Sequence, residues 1–204
     1  MDDTTLEPFR QVQDALRTYL GKASHLAIFQ PLLRHVRKVY IIGGLSEAGK
    51  STLASSICSK ESDGSAVRLK LGYLCEQASA RLGFSVYGKD EKQQAQAILQ
   101  ELDRYCRHHY WIRTVTLGSA HRLSSTHWLK RFLDSKAIVV YLDAALPTRQ
   151  ARSLVILDVL ESNDETKRGR GAHQIKGIAD IGLGNGGSTT EELTEELAEA
   201  ERGR

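Results

Sequence analysis

Little in this chain supports a disulfide framework or a structural metal. Its three cysteines, Cys58, Cys75 and Cys106, lie far apart and form no CxxC pair, which argues against a disulfide scaffold and a zinc ribbon. The opening MDDTTLEPFR is acidic and lacks the apolar core of a secretory leader. No apolar run nears the ~18 residues of a membrane span. There is no internal repeat, and no N-K-x-D guanine signature, which disfavours a G-protein switch. Formal net charge is only +3, a weak basis for general nucleic-acid binding. The expectation is a cytosolic protein, monomer or homodimer, that binds neither membrane nor nucleic acid.

What is there is uneven charge and a clear alternation. The 204 residues, 41% hydrophobic and 26% charged, suffice for one sizeable core. Residues 191 to 201 hold six glutamates and no base, whereas residues 104 to 131 hold six Arg/Lys and four histidines and no acid. A local basic face suits an anionic small molecule. Residues 1–37 read as a helical extension, with apolar residues at helical spacing over 5–20 and 24–35. From residue 38 strands and helices alternate. KVYIIG, AVRLKLGY, YWIRTVTLG, AIVVYLDA and IADIGLGN read as strands. Helices are expected in KSTLASSICS, YLCEQASARLG, DEKQQAQAILQELDRYCRHH, SSTHWLKRFLDS with a Ser N-cap, and LPTRQARSLVILDVLES. The last helix, STTEELTEELAEAE, starts with a capping box. NDETKRGRGAHQ, residues 163–174, is polar and glycine-containing and reads as a loop. The alternation implies a mainly parallel sheet covered on both faces.

The most specific signal is GLSEAGKS, Gly44 to Ser51, which satisfies G-x-x-x-x-G-K-[ST] between an expected strand and an expected helix. Glycines let the loop turn its N–H groups toward phosphate oxygens, and the helix N-terminus adds partial positive charge. Gly44, Glu47, Ala48, Gly49, Lys50, Ser51 and Thr52 are therefore candidate phosphate-binding residues. Lys50 would reach the β and γ phosphates, and the Ser51 hydroxyl would ligate Mg²⁺.

Residues 38–198 resemble P-loop kinases of small molecules, the nucleoside monophosphate kinase and dephospho-CoA kinase branch. Besides the cradle, the resemblance rests on VVYLDAALPTRQAR, with Arg149 and Arg152, on KRGRG, and on IADIGLGNGGSTTEEL. It implies a three-layer α/β fold with a five-stranded sheet, ATP and Mg²⁺ as cofactors, and a short lid near 163–174. Within that lid, Lys167, Arg168 and Arg170 would close over the triphosphate. Lys50, Arg152, Arg168 and Arg170 become the catalytic candidates. Asn185 and Gly186 would lie beside the adenine.

The resemblance weakens on the acceptor side. Dephospho-CoA kinases carry an aspartate after the second strand; here Arg68 and Lys70 stand there. Strand three ends in Gly118 and Ser119, then His121 and Arg122, without a Walker-B acid. Asp143 and Glu47 are the carboxylates left to support magnesium. An alcohol acceptor benefits from a carboxylate base, whereas a phosphate is already ionised. Arg68, Lys70, His121 and Arg122 therefore suggest an anionic acceptor such as a nucleotide or phosphorylated metabolite. Tyr73, Tyr87 and Trp128 are aromatic residues able to stack on a base. The leading expectation is an ATP-dependent small-molecule kinase. An NTP hydrolase, a kinase of a neutral alcohol and a non-catalytic nucleotide-binding regulator remain open alternatives.

Overall fold

Short apolar runs rich in Val and Ile bury well between two helical layers, and here five of them form one sheet. A computed structural model describes residues 33–204. The helices expected over 5–20 and 24–35 fall outside the described residues, apart from residues 33–35, which form a turn. The strands are β1 (Lys38–Gly43), β2 (Ala66–Lys70), β3 (Thr114–Ala120), β4 (Ala137–Asp143) and β5 (Ile181–Gly184). All neighbours pair in parallel, in the order β2-β3-β1-β4-β5. β1 is central: Val39 pairs with Val115 on one side and Ala137 on the other.

Among the described residues, seven α-helices flank the sheet: α1 (Lys50–Lys60), α2 (Leu71–Leu82), α3 (Glu91–His108), α4 (Leu123–Leu133), α5 (Leu146–Arg152), α6 (Leu157–Gly169) and α7 (Thr190–Arg202). Two apolar layers result. Ile41, Leu69, Val115, Leu117 and Val139 face the cluster filled by α2, α3 and α4. Tyr40, Ile42, Ile138 and Val140 face the other, filled by α1 and α7. This is the period-two alternation of a sheet covered on both sides.

Local chemistry sets several boundaries. Gly83, at φ 71°, ends α2 in the left-handed conformation that glycine adopts without strain. Asp90 caps α3 by accepting from the Lys92 and Gln93 N–H groups. Thr189 and Glu192 form the expected capping box at α7.

Other boundaries differ from expectation. β2 stops at Lys70, and Leu71 already opens α2. β3 occupies 114–120 rather than 110–118. α4 begins after Arg122, which has no side-chain cap bond, so Ser124 and Ser125 lie inside the helix rather than capping it. The single helix expected over 146–162 is two. Ser153 turns extended, at φ −81° and ψ 138°, and its hydroxyl accepts the Val155 N–H at 3.1 Å. Serine thereby offers the backbone an alternative to the helix ladder. Residues 163–169, expected as loop, complete α6. They are polar because most face water, while Leu160 and Asp164 turn inward. A tight 3₁₀ stretch, Ala172–Ile178, follows; its Ile175 is fully buried against Gly43.

Candidate phosphotransfer site

The cradle loop leaves β1 at Gly43 and enters α1 at Lys50. Its turn needs positive φ at three places: Gly44 (139°), Glu47 (54°) and Gly49 (94°). At Gly44 an added Cβ would come within 2.6 Å of the Leu142 carbonyl oxygen. At Gly49 it would meet the Asn185 amide at 2.4 Å. Both glycines are thus required by contact as well as by conformation.

Ser46, a variable position of the motif, is held at three atoms. Its N–H donates to Asp164 Oδ1 at 2.9 Å, its carbonyl accepts from Arg149 Nη1 at 3.1 Å, and its hydroxyl accepts from Lys167 Nζ at 2.6 Å. Arg149 also bonds the Ala144 carbonyl at 3.0 Å and pairs with Asp164. Both partners of that pair are almost fully buried, at 3% and 4% side-chain exposure. Burial alone would raise the Asp164 carboxyl, but the Ser46 N–H and the Arg149 guanidinium hold it below its ordinary value. Asn185 supports the loop from the other side. Its Nδ2 donates to the Ala48 carbonyl at 2.9 Å, and its Oδ1 accepts from Arg152 Nη2 at 3.0 Å.

Lys50 is buried and donates to the Leu45 carbonyl. Burial and the neighbouring Lys167 charge push its ammonium down to about 8, against opposing pulls from Glu47 and Asp164. Lys167 is lowered in turn, chiefly by its own burial. Two ammonium groups therefore converge on one face of the loop. A bound phosphate would relieve their desolvation and their mutual repulsion.

A pH dependence follows. Phosphate binding at the loop would use protonated Lys50 and raise its pKa in the complex. ADP affinity should therefore decline as pH climbs past about 8, by up to roughly tenfold per pH unit. Titration calorimetry of ADP across about pH 8–10 measures it. A flat Kd over that range rules out Lys50 as a phosphate ligand. In Lys50→Arg, which stays protonated, the decline should disappear.

A cavity of about 170 Å³ opens at the carboxyl ends of β2 and β3, where open parallel sheets bind ligands. Its wall includes Gly72, Tyr87, Gln94, His121, Arg122 and Arg170. Ser119, also in the wall, has φ 66°, a left-handed conformation uncommon for serine and of the kind that clusters at functional sites. His121 is held down to about 4, first by burial and then by Lys167, Lys50 and Arg170, so it is neutral at physiological pH. Its buried Nδ1 has no hydrogen-bond partner. Those three charges bear on one imidazole, which places the cavity next to the cradle.

The sequence-derived candidates sort as follows. Gly44, Glu47, Ala48, Gly49, Lys50 and Ser51 lie in the loop between β1 and α1 and the start of α1, with Thr52 exposed on its first turn. His121 and Arg122 line the cavity. Arg68 and Lys70 do not. Leu69 points into the α2–α4 layer, so its neighbours face the opposite side, and Arg68 Nη1 donates to Ser55 of α1 at 3.0 Å. Arg152 donates to Asn185 Oδ1 at 3.0 Å and so braces the residue that packs against Gly49. Asn185 spends its side chain on the loop backbone, not on a base-binding surface, and Gly186 is exposed beyond it. Arg168 is exposed on a groove with Asp158, Glu161 and Glu165. Arg170, exposed at the end of α6, lines the cavity, and its charge also bears on Lys167. Asp143 is exposed and paired with Lys176 at 2.7 Å. Tyr87 lines the cavity, Tyr73 lines a separate cleft, and Trp128 stacks on Phe132. Ser46 and Asp164 carried no recognisable motif. Lys167 was readable as a lid cation, but nothing in the sequence singled it out from Arg168 and Arg170.

No carboxylate stands at the end of β3, and no group of three His, Cys, Asp or Glu residues suited to a metal occurs among the described residues. The donor set would fit a magnesium ion held mainly by nucleotide phosphates and water, to which the Ser51 hydroxyl could add a protein ligand. The glycine cradle that a Cβ would fill fits the phosphates themselves.

Sheet order, cradle and lysine together define the P-loop kinase fold. The sequence matches no protein-family model and no curated protein. Solved structures match over most of the chain. A shikimate kinase from Acinetobacter baumannii in complex with shikimate is 14% identical, with a TM-score of 0.51 over 85% of this chain and 97% of the other. A gluconokinase from Sinorhizobium meliloti is 17% identical, with a TM-score of 0.51 over 83% and 94%. The APS kinase of Mycobacterium tuberculosis, in complex with AMPPNP and APS, is 18% identical, with a TM-score of 0.50 over 81% and 97%. At these identities the likeness is one of fold.

Proposed function

We propose that the protein is an ATP-dependent phosphotransferase acting on a small, anionic acceptor. The observation that carries this reading is the placement of Lys50 and Lys167 at the cradle, with the cavity of His121, Arg122 and Arg170 beside it. Phosphoryl transfer needs positioning and charge neutralisation more than covalent chemistry. The cradle N–H groups and Lys50 would hold the β and γ phosphates. Lys167, reaching across from α6, would stabilise charge on the transferring group. Mg²⁺ on the phosphates, with Ser51 as a ligand, would neutralise further charge. Two of the fold neighbours are kinases in complex with small molecules, shikimate in one and APS together with the ATP analogue AMPPNP in the other. That agrees with a small acceptor here.

Among the described residues no carboxylate lines the cavity, which favours an anionic acceptor over a neutral alcohol. It also disfavours a dedicated hydrolase, since no carboxylate is placed there to activate water.

ADP release measured against a panel of phosphosugars, small hydroxy acids and nucleoside monophosphates tests the reading. A kinase releases ADP only with its acceptor. ADP release independent of acceptor would indicate a hydrolase, and nucleotide binding without release would indicate a regulatory protein.

A further inference from the structure

The stretch RYCRHHYWIR, Arg104 to Arg113, interleaves three arginines and two histidines with three aromatic residues and no acid. The phosphotransfer site uses none of it. It covers the end of α3 and the turn into β3, which begins at Thr114. It therefore lies toward the amino ends of the strands, whereas the cradle hangs from their carboxyl ends. Its rings form a ladder. Tyr105 stacks on His109 at 4.2 Å and 18°, His109 meets Trp111 edge-on at 5.2 Å, and Trp111 meets Tyr110 at 5.5 Å. His109 Nδ1 lies 2.8 Å from the Tyr105 carbonyl oxygen, which can only accept, so Nδ1 donates and the ring is fixed.

A cleft of about 220 Å³ opens beside this ladder, between α2 and α3. Tyr73 and Gln77 stand on its α2 wall, and Arg104, Tyr105 and His108 on its α3 wall. The one carboxylate in the wall, Glu101, is spent on Arg81, whose Nε donates to it at 2.6 Å. Neighbouring arginines are spent too. Arg107 pairs with Asp103 at 2.8 Å, and Arg113 donates to the Tyr110 carbonyl at 2.7 Å. Other cations near aromatic rings lie over them, Lys89 over Phe84 and both Lys92 and Arg131 over Trp128. Arg104 does neither. Among the described residues Arg104, Gln77, His108 and the Tyr73 hydroxyl have no partner. Tyr73 also leaves 44% of its surface in water.

We propose that this cleft is a second binding site, separate from the phosphotransfer site, for a single nucleotide. Its base lies against Tyr73 and Tyr105, and its phosphate meets Arg104 and His108. Tyrosine rings take a base by stacking, whatever its hydrogen-bonding edge. A free guanidinium takes phosphate through two parallel N–H bonds. A nucleic-acid strand would need a row of free cations along its backbone. With Arg107 and Arg113 committed elsewhere, the wall offers one guanidinium, enough for one phosphate. The proposal does not depend on the kinase reading.

Calorimetry on the full chain with AMP, adenosine and ribose 5-phosphate tests it, with AMPPNP at saturation to occupy the cradle. AMP should still bind. Adenosine, which lacks the phosphate, and ribose 5-phosphate, which lacks the base, should each bind at least about fivefold more weakly. Arg104→Met and Tyr73→Ala alter exposed side chains, so both variants should fold and keep AMPPNP affinity within about twofold. Each should weaken AMP binding by about fivefold or more. Three results overturn the proposal: no AMP binding, AMP binding that neither substitution weakens, or adenosine or ribose 5-phosphate binding as tightly as AMP. Absent AMPPNP binding strikes instead at the phosphotransferase reading, and the AMP titrations of the two variants still decide the cleft.

Discussion

Lys50→Met should lower turnover by a factor of about 100–1000 while the protein remains folded. One preorganised cation aimed at developing charge is worth roughly 3–4 kcal/mol in a site closed to water. Methionine keeps most of the buried stem but removes the charge. Stability should hold or rise, because the ammonium is desolvated and already driven down to about 8. That combination separates catalysis from folding: turnover falls while the melting temperature does not. Lys167→Met should cost less, about tenfold, since its ammonium is half-buried and its bond to Ser46 is partly replaceable by water. Unchanged acceptor-dependent ADP release in a folded Lys50→Met protein would show that the cradle takes no part in transfer.

The second large effect should come from a pair that touches no substrate. Asp164→Asn leaves the Arg149 guanidinium buried without its counter-charge. Breaking one side of a buried pair typically costs ~3–5 kcal/mol. For a chain of this length that corresponds to a fall in Tm of roughly 6–20 °C. Asp164 also receives the Ser46 N–H, so ADP affinity should fall in whatever fraction stays folded. The double variant Arg149→Met/Asp164→Leu should recover much of the lost stability but not the loop geometry, and therefore not the affinity. Thermal melts and ADP titrations on the three proteins check both parts. Should Asp164→Asn melt within about 2 °C of the parent, the pair is not the strut described here. The carboxyl's folded value lies below its unfolded one, so its contribution is present at neutral pH and is lost as pH falls through the folded value.

What could be read from residues alone follows from how local each determinant is. The cradle was legible because glycine, lysine and serine at fixed spacing encode a backbone shape within eight consecutive residues. The strands were legible because five short runs of β-branched and apolar residues are each bounded by turn residues. Arg68 was misplaced by a question of side. Its position at a strand end is local, but the face it points to is fixed by Leu69 packing into one layer while Ser55 waits on the other. The α5–α6 break was hidden because Leu154, Val155 and Ile156 look like a buried helical turn, yet they are exposed. Only the Ser153 hydroxyl bond reveals the stop. The roles of Ser46 and Asp164 were unreadable because each depends on contact between segments far apart in the chain, which no local spacing encodes.

The central position of β1 has a consequence for how the chain is made. β1 is the first described strand, yet its two neighbours are β3 and β4, so Val39 waits for Val115 and then Ala137 before either ladder can close. Both closures span long stretches of chain and must be met by loop-closure entropy before they are rewarded. During synthesis the hydrophobic run from Val39 to Ile42 stays without its sheet partners until more than half of the protein has emerged. The phosphate cradle hangs from the end of that strand. Its roof, made of Asp164 and Asn185, is built from residues translated later still. Any ligand of this loop would therefore find no finished site early in folding and could stabilise only a nearly complete protein.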